Sequence, residues 1–125
     1  MKEQNTILLV DDEPNILLAL EFIIKQKGFK VVTAANGSEG IQMARQHLPD
    51  LVILDVMMPG LDGFAVAKTI RQDKRLNHTT IVFLTAKGTN QDFAQGYASG
   101  GEIYLTKPFD NQELLNIISE VFEFG

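Results

Sequence analysis

The chain contains no cysteine at all, and only four of its 125 residues are proline. Without cysteine there can be no disulfide framework, no thiolate metal site and no cysteine nucleophile. No apolar run approaches the ~20 residues of a membrane span, and no signal-peptide pattern opens the chain. No membrane partner is therefore expected. Positive charge is also scarce: 11 Lys+Arg stand against 16 Asp+Glu, a formal net charge of −5. That balance argues against direct nucleic-acid binding, which needs a basic face. What is present suffices for a core, since 45% of residues are hydrophobic and 22% charged, unlike a disordered tail. The length fits one domain over residues 1–125, burying roughly two-thirds of its unfolded surface. The expectation is a soluble, cytoplasmic, single-domain protein.

Five short apolar runs rich in β-branched residues recur, at residues 6–10, 30–34, 51–54, 81–84 and 102–105. Several are apolar almost throughout, without the alternation of a sheet wetted on one face, and so read as strands buried on both faces. Between them the spacing becomes helical: Ile16, Leu20, Ile23 and Ile24; Ile41, Ala44 and Leu48; Phe64, Ala67 and Ile70; Leu114, Ile117, Ile118 and Val121. Pro14 suits a first helical turn and Gly28 a left-handed C-cap. The stretch Asp110-Asn111-Gln112-Glu113 resembles a capping box, and Thr89 is placed to cap a helix reaching Tyr97. Strand and helix thus alternate five times, as βαβ units require. The pattern predicts an α/β fold, a doubly wound five-stranded parallel sheet with helices on both faces.

Ligands of such sheets bind at the carboxyl ends of the strands. There the first strand delivers Asp11, Asp12 and Glu13, the third Asp55, the fourth Thr85 and the fifth Lys107. Each alone has an ordinary explanation: an acidic pair before a helix favours the helix dipole, and a lone Lys is usually solvated. Together they make a chemical argument. Two unit charges 4 Å apart interact by about 4 kcal/mol at an effective dielectric of 20, so converging carboxylates repel unless a cation sits among them. Oxygen donors without sulfur favour Mg²⁺ or Mn²⁺ over zinc. No other strong nucleophile is on offer, since His47 and His78 fall at no predicted strand end. A carboxylate can attack phosphorus to give an aspartyl phosphate, and phosphoryl transfer asks chiefly for positioning and charge neutralisation.

Four motifs carry a family resemblance: Val10-Asp11-Asp12-Glu13-Pro14; Leu54-Asp55-Val56-Met57-Met58-Pro59-Gly60-Leu61-Asp62-Gly63; Leu84-Thr85-Ala86; and Tyr104-Leu105-Thr106-Lys107-Pro108-Phe109. In order and spacing, over essentially the whole chain, the protein resembles the receiver domains of two-component response regulators. The resemblance implies a flavodoxin-like sheet in the order 2-1-3-4-5 with five helices. It implies Asp55 as phosphoacceptor, served by a phosphohistidine on a sensor histidine kinase or phosphotransfer protein. Asp12, Asp55 and the Met57 backbone carbonyl would bind Mg²⁺, with Asp11 helping through water. Lys107 would pair with the phosphoryl group, and Thr85 would move to hydrogen-bond it. The small Ala86 would keep the approach open, and Lys107–Pro108 would be cis. Tyr104, three residues before Lys107, would turn inward as Thr85 moves. That would reshape the face formed by the fourth helix, fifth strand and fifth helix, which signals to an output domain or effector protein and can support a phosphorylation-dependent homodimer.

Some positions depart from the family pattern or stay neutral to it. Gly100-Gly101 stands where an Ala is usual after the first glycine, and Gly96 falls inside the predicted fourth helix, which is therefore expected to be loose. Met57 and Lys87, at the rim of the site, are neither bases nor water-orienting amides, so no fast autodephosphorylation is expected. Lys68, Arg71, Lys74 and Arg75 form a basic stretch too small for nucleic acid. Three other readings exist. An aspartyl-phosphate-forming small-molecule phosphatase would place two aspartates one residue apart after the first strand, whereas Asp11 and Asp12 are adjacent. A flavodoxin-like flavin carrier would need a glycine- and hydroxyl-rich first loop. A degenerate receiver acting only as a binding module would lack key residues that are present here. The chain stops near the expected end of the fifth helix, which fits a stand-alone regulator or a receiver taken from a longer chain.

Overall fold

A computed structural model of the chain describes residues 5–85, 103–106 and 109–124, with residues 123 and 124 in backbone only. The elements run β1 (Thr6–Val10), α1 (Pro14–Gln26), β2 (Lys30–Ala34), α2 (Gly37–His47), β3 (Leu51–Asp55), α3 (Gly63–Gln72), a 3-10 turn (Lys74–Leu76), β4 (Thr80–Thr85), β5 (Ile103–Thr106) and a C-terminal helix (Asn111–Phe124). Every strand pair is parallel and the sheet order is β2-β1-β3-β4-β5. Four α-helices are seen among the described residues. The expected helix at 89–97, with Gly96, and the expectations for Ala86, Lys87, Gly100-Gly101, Lys107 and Pro108 lie outside them. The fifth strand runs one residue later than its apolar pattern suggested, because Thr106 joins the ladder opposite Thr85.

The unbroken apolar runs have the consequence expected of doubly covered strands. Successive residues of β1 go to opposite layers: Leu8 and Val10 pack with Ala44, Phe64, Ala67 and Ile70 of α2 and α3. Ile7 and Leu9 pack with Leu20 and Ile24 of α1 and Leu114 and Ile118 of the C-terminal helix. β3 divides likewise, Val52 and Leu54 to the first layer and Leu51 and Ile53 to the second.

Entry to α2, α3 and the C-terminal helix is set by polar side chains that satisfy otherwise orphaned amides. Asn36 accepts from the Glu39 N–H at 2.8 Å, and Asp62 accepts from the Ala65 N–H at 2.9 Å. At the C-terminal helix the Gln112 N–H donates to Asp110 Oδ1 at 3.0 Å, while Glu113 Oε1 accepts from the Asp110 N–H at 3.3 Å. Leu48 ends α2 in the left-handed region with φ of 47°, a conformation costly for a side-chain-bearing residue. Its neighbours hold it there. His78 Nε2 lies 3.3 Å from the Leu48 carbonyl, Thr79 Oγ1 donates to the Pro49 carbonyl at 2.7 Å, and Asp50 Oδ2 accepts from the Thr6 N–H at 2.9 Å.

Candidate functional site

The register of β1 on β3 ends with Val10 beside Leu54. One step further, the two neighbouring strands carry Asp11 and Asp55 at the same edge of the sheet. Backbone bonds extend both strands to this point. The Asp11 N–H donates to the Ala34 carbonyl at 3.1 Å, and the Val56 N–H to the Leu84 carbonyl at 2.9 Å. The acidic side chains are therefore anchored by sheet, not by loop.

Asp11 and Asp55 are nearly inaccessible, at 2% and 3% exposure, whereas Asp12 is exposed. One carboxylate oxygen from each of the three lies within 4.8 Å of the others. Local amides fix two of the side chains: the Glu13 N–H donates to Asp11 Oδ1 at 2.9 Å, and the Met57 N–H makes a long 3.4 Å bond to Asp55 Oδ1. Around an octahedral Mg²⁺ with oxygens at about 2.1 Å, ligand oxygens sit roughly 3 to 4 Å apart. The observed cluster needs only a small contraction, or one intervening water, to meet that spacing. The donor set fits a hard divalent cation: carboxylates alone, with no His or Cys among the clustered groups.

Between Asp55 and α3 the chain makes a tight return. The Gly63 N–H donates to the Val56 carbonyl at 3.1 Å, and a Cβ on Gly63 would meet the Asp55 carbonyl oxygen at 2.5 Å. Glycine is required by that approach. The loop so closed carries Met57, whose side chain is 62% exposed. Met57 does not fill a gap, the ordinary role for such a residue; it stands in solvent beside the carboxylates.

Thr85 ends β4, buried at 2% exposure, one place after Leu84, which is registered with Asp55. Tyr104 is half-buried and belongs to the layer of α2 and α3. Its ring lies 5.2 Å from Phe83, which in turn makes an edge contact at 5.2 Å with Phe64 at the start of α3. Asp11, Asp12, Asp55 and Met57 are thus brought together, with Thr85 at the adjacent strand end and Tyr104 on the flank. Lys107 lies outside the described residues. Neither Gly63 nor the Glu13 amide stands out as functional in the sequence alone. Gly63 was within sight, closing the longest of the motifs; the role of a backbone amide leaves no mark in residue type.

The family described as response regulator receiver domain matches residues 7–119. The chain is 43% identical over 119 residues to the response regulator Rre1 of Synechocystis, covering 94% of this chain and 52% of that protein. It is 36% identical over 115 residues to the protein PilH of Pseudomonas aeruginosa, covering 92% of this chain and 95% of that one. The solved structure of chemotaxis protein CheY4 from Vibrio cholerae superposes with a TM-score of 0.90 at 31% identity, over 94% of this chain and 98% of that one.

The chain belongs to the response regulator receiver domain family. It is a phosphoacceptor signalling domain of the two-component type, and such domains are signalling modules, not classical enzymes. The chain spans about half the length of several relatives it matches, including Rre1 at 52%. No described helix is long and apolar enough to cross a membrane.

Proposed function

We propose that Asp55 accepts the phosphoryl group. A carboxylate oxygen of Asp55 attacks phosphorus, an O–P bond forms, and the P–N bond to a phosphohistidine of a kinase or phosphotransfer protein breaks, the electron pair leaving with the imidazole. Asp12, Asp55 and the Met57 carbonyl would hold Mg²⁺, or Mn²⁺ in its place, with Asp11 acting through water. The ion supplies the positive charge that lets an anionic nucleophile meet an anionic phosphoryl group. Asp11 contributes by keeping the pocket acidic enough to retain the cation. Lys107 and Thr85 are assigned to the phosphoryl oxygens, as ammonium and hydroxyl donors.

The observation that carries this reading is the convergence of three carboxylates, two of them buried, from the ends of two adjacent strands. Burying two like charges side by side is costly unless a cation is bound there. In this reading Thr85, leaving its place toward the phosphoryl group, would open room for the Tyr104 ring, which lies against Phe83. The face around β5 then changes shape toward an output domain, an effector protein or a second phosphorylated copy. An incoming phosphodonor protein has apolar surface to dock on, since Leu18 and Phe22, one helical turn apart on α1, are 69% and 62% exposed. We place the domain in the cytoplasm on the same reading.

Incubation with acetyl phosphate and Mg²⁺, read by intact-protein mass, tests the assignment. The expected result is a gain of one phosphoryl group that vanishes in Asp55→Asn and on chelation of the metal. A phosphoryl group retained in Asp55→Asn, or added equally well without a divalent cation, would overturn it. The family match favours this role over a small-molecule phosphatase.

A further inference from the structure

In a parallel α/β sheet, each helix that returns the chain ends at the edge opposite the strands' carboxyl ends. Here that remote edge gathers Arg45 from the last turn of α2, Gln72 from the end of α3, and Lys74 and Arg75 from the 3-10 turn. Together with Thr69 and Asp73 they line an open groove of about 460 Å³. Three cations face one anion in a chain whose formal net charge is −5. Two members of the basic stretch noted in the sequence, Lys74 and Arg75, are joined in this concave setting by Arg45 from another helix.

The one acid of the groove is already engaged. Asp73 accepts from the Arg75 backbone N–H at 3.0 Å and from the Arg75 guanidinium at 3.1 and 2.8 Å, and lies 3.8 Å from Arg45 Nε. These bonds hold its carboxyl down at about 2. Arg45 and Arg75 keep about half of their side-chain surface or more in solvent, at 51% and 61%. A guanidinium has five N–H donors, so both retain donors directed elsewhere. Lys74 makes no ion pair among the described residues and is exposed. The Thr69 hydroxyl donates to the Ala65 carbonyl at 3.0 Å, leaving an acceptor, while Gln72 adds an amide. Cations at helix C-termini are ordinarily explained by the helix dipole. That explanation covers Arg45 and Arg71, in the last turns of α2 and α3. It does not cover Lys74 and Arg75, which lie in the turn beyond.

We propose that this groove docks an acidic, carboxylate-bearing segment of a partner protein, on the edge of the domain remote from Asp55. The net charge of the lining is +2, from three cations and one anion. That is enough for a pair of carboxylates and far too little for nucleic acid, which the rest of an acidic domain repels. The groove is open, whereas small-molecule sites enclose most of their ligand, and an extended peptide suits an open, polar trough. A partner held here leaves the acidic pocket uncovered, so docking and phosphoryl transfer proceed at once. The inference does not depend on which carboxylate is phosphorylated.

The test is titration of isotope-labelled protein with a blocked oligoglutamate peptide, followed by amide chemical shifts. The supporting result is a saturable change centred on Arg45, Gln72, Lys74 and Arg75, weakened by added salt. In Lys74→Glu the affinity should fall by about fivefold, the equivalent of one exposed ion pair at its upper limit. The Lys74 side chain makes no ion pair among the described residues, so the variant is expected to fold, and an unchanged spectrum elsewhere checks this. Non-saturating or scattered shifts, or equal binding by Lys74→Glu, would overturn the proposal. So would inorganic phosphate reproducing the same shifts at the same concentration, or oligoglutamine binding equally well.

Discussion

A Cβ placed on Gly37, the first residue of α2, would come within 2.5 Å of the Leu61 carbonyl oxygen and 2.9 Å of Val66 Cγ2. The start of α2 is therefore wedged against the loop that carries Met57 away from Asp55. A side chain cannot be accommodated by a rotamer change, because the nearest atom belongs to the backbone. Gly37→Ala is expected to displace that loop and raise the Mg²⁺ concentration needed for half-maximal phosphorylation, several-fold, with the rate restored at saturating Mg²⁺. It should also cost about 1–3 kcal/mol of stability, as overpacking does. Acetyl phosphate kinetics across a Mg²⁺ series, together with urea unfolding, check both effects.

The clustered carboxylates predict a metal-dependent stability. At tenfold over its dissociation constant, Mg²⁺ should stabilise the domain by about 1.4 kcal/mol. Asp55→Asn should be more stable than the parent in a chelator, because it relieves repulsion among Asp11, Asp12 and Asp55, and should gain less from Mg²⁺. Thermal unfolding of both proteins with and without the ion decides the matter. A parent protein indifferent to Mg²⁺ would contradict the assignment.

Leu18 and Phe22 separate docking from chemistry. Both are largely in solvent, so Leu18→Ser and Phe22→Ser should change stability by no more than about 0.5 kcal/mol. Phosphotransfer from a cognate kinase should slow about tenfold or more in the double variant, as expected when interface anchors are removed. Phosphorylation by acetyl phosphate, which needs no protein surface, should be unchanged.

Acid sensitivity has an identifiable contributor far from the pocket. The side-chain and backbone hydrogen bonds from Arg75 lower the Asp73 carboxyl from its ordinary 3.8 to about 2. A group depressed in the folded state binds fewer protons there than when unfolded. Its stabilisation is thus present above pH 4 and is lost as the pH falls from about 4 toward 2. Asp73→Asn should flatten the stability profile in that window and leave its shape near neutrality unaltered. Urea unfolding at a series of pH values measures the difference.

Much of this architecture was legible because it rests on local pattern. Ile7 to Val10 and Leu51 to Leu54 are apolar on both faces, which only a covered parallel strand tolerates. Pro14 stands in the first turn of α1, and Gly28 takes the left-handed φ of 94° that its position suggested. The acidic cluster was legible for the same reason, since the end of an apolar strand is a place and not merely a residue. What escaped depends on contacts between distant segments. Nothing near Arg45 announces Asp73 as its neighbour. Leu48, with neither glycine nor asparagine to advertise it, adopts a left-handed turn because His78, Thr79 and Thr6 secure the loop around it. The fit of Gly37 against Leu61 is equally a property of the assembled layers.

The pairing of Val10 with Leu54 carries one last implication. Successive side chains on a strand face opposite ways, so shifting either strand by a single residue reverses every one of them. Losing one residue from the middle of β1 would turn its terminal acids toward the wrong layer while leaving the greasy composition of the strand almost intact. Evolution can therefore trade isoleucine for valine or leucine along these ribbons at modest penalty, but it cannot alter their parity. The signalling chemistry depends on an odd-or-even count more strictly than on which hydrocarbon fills each place.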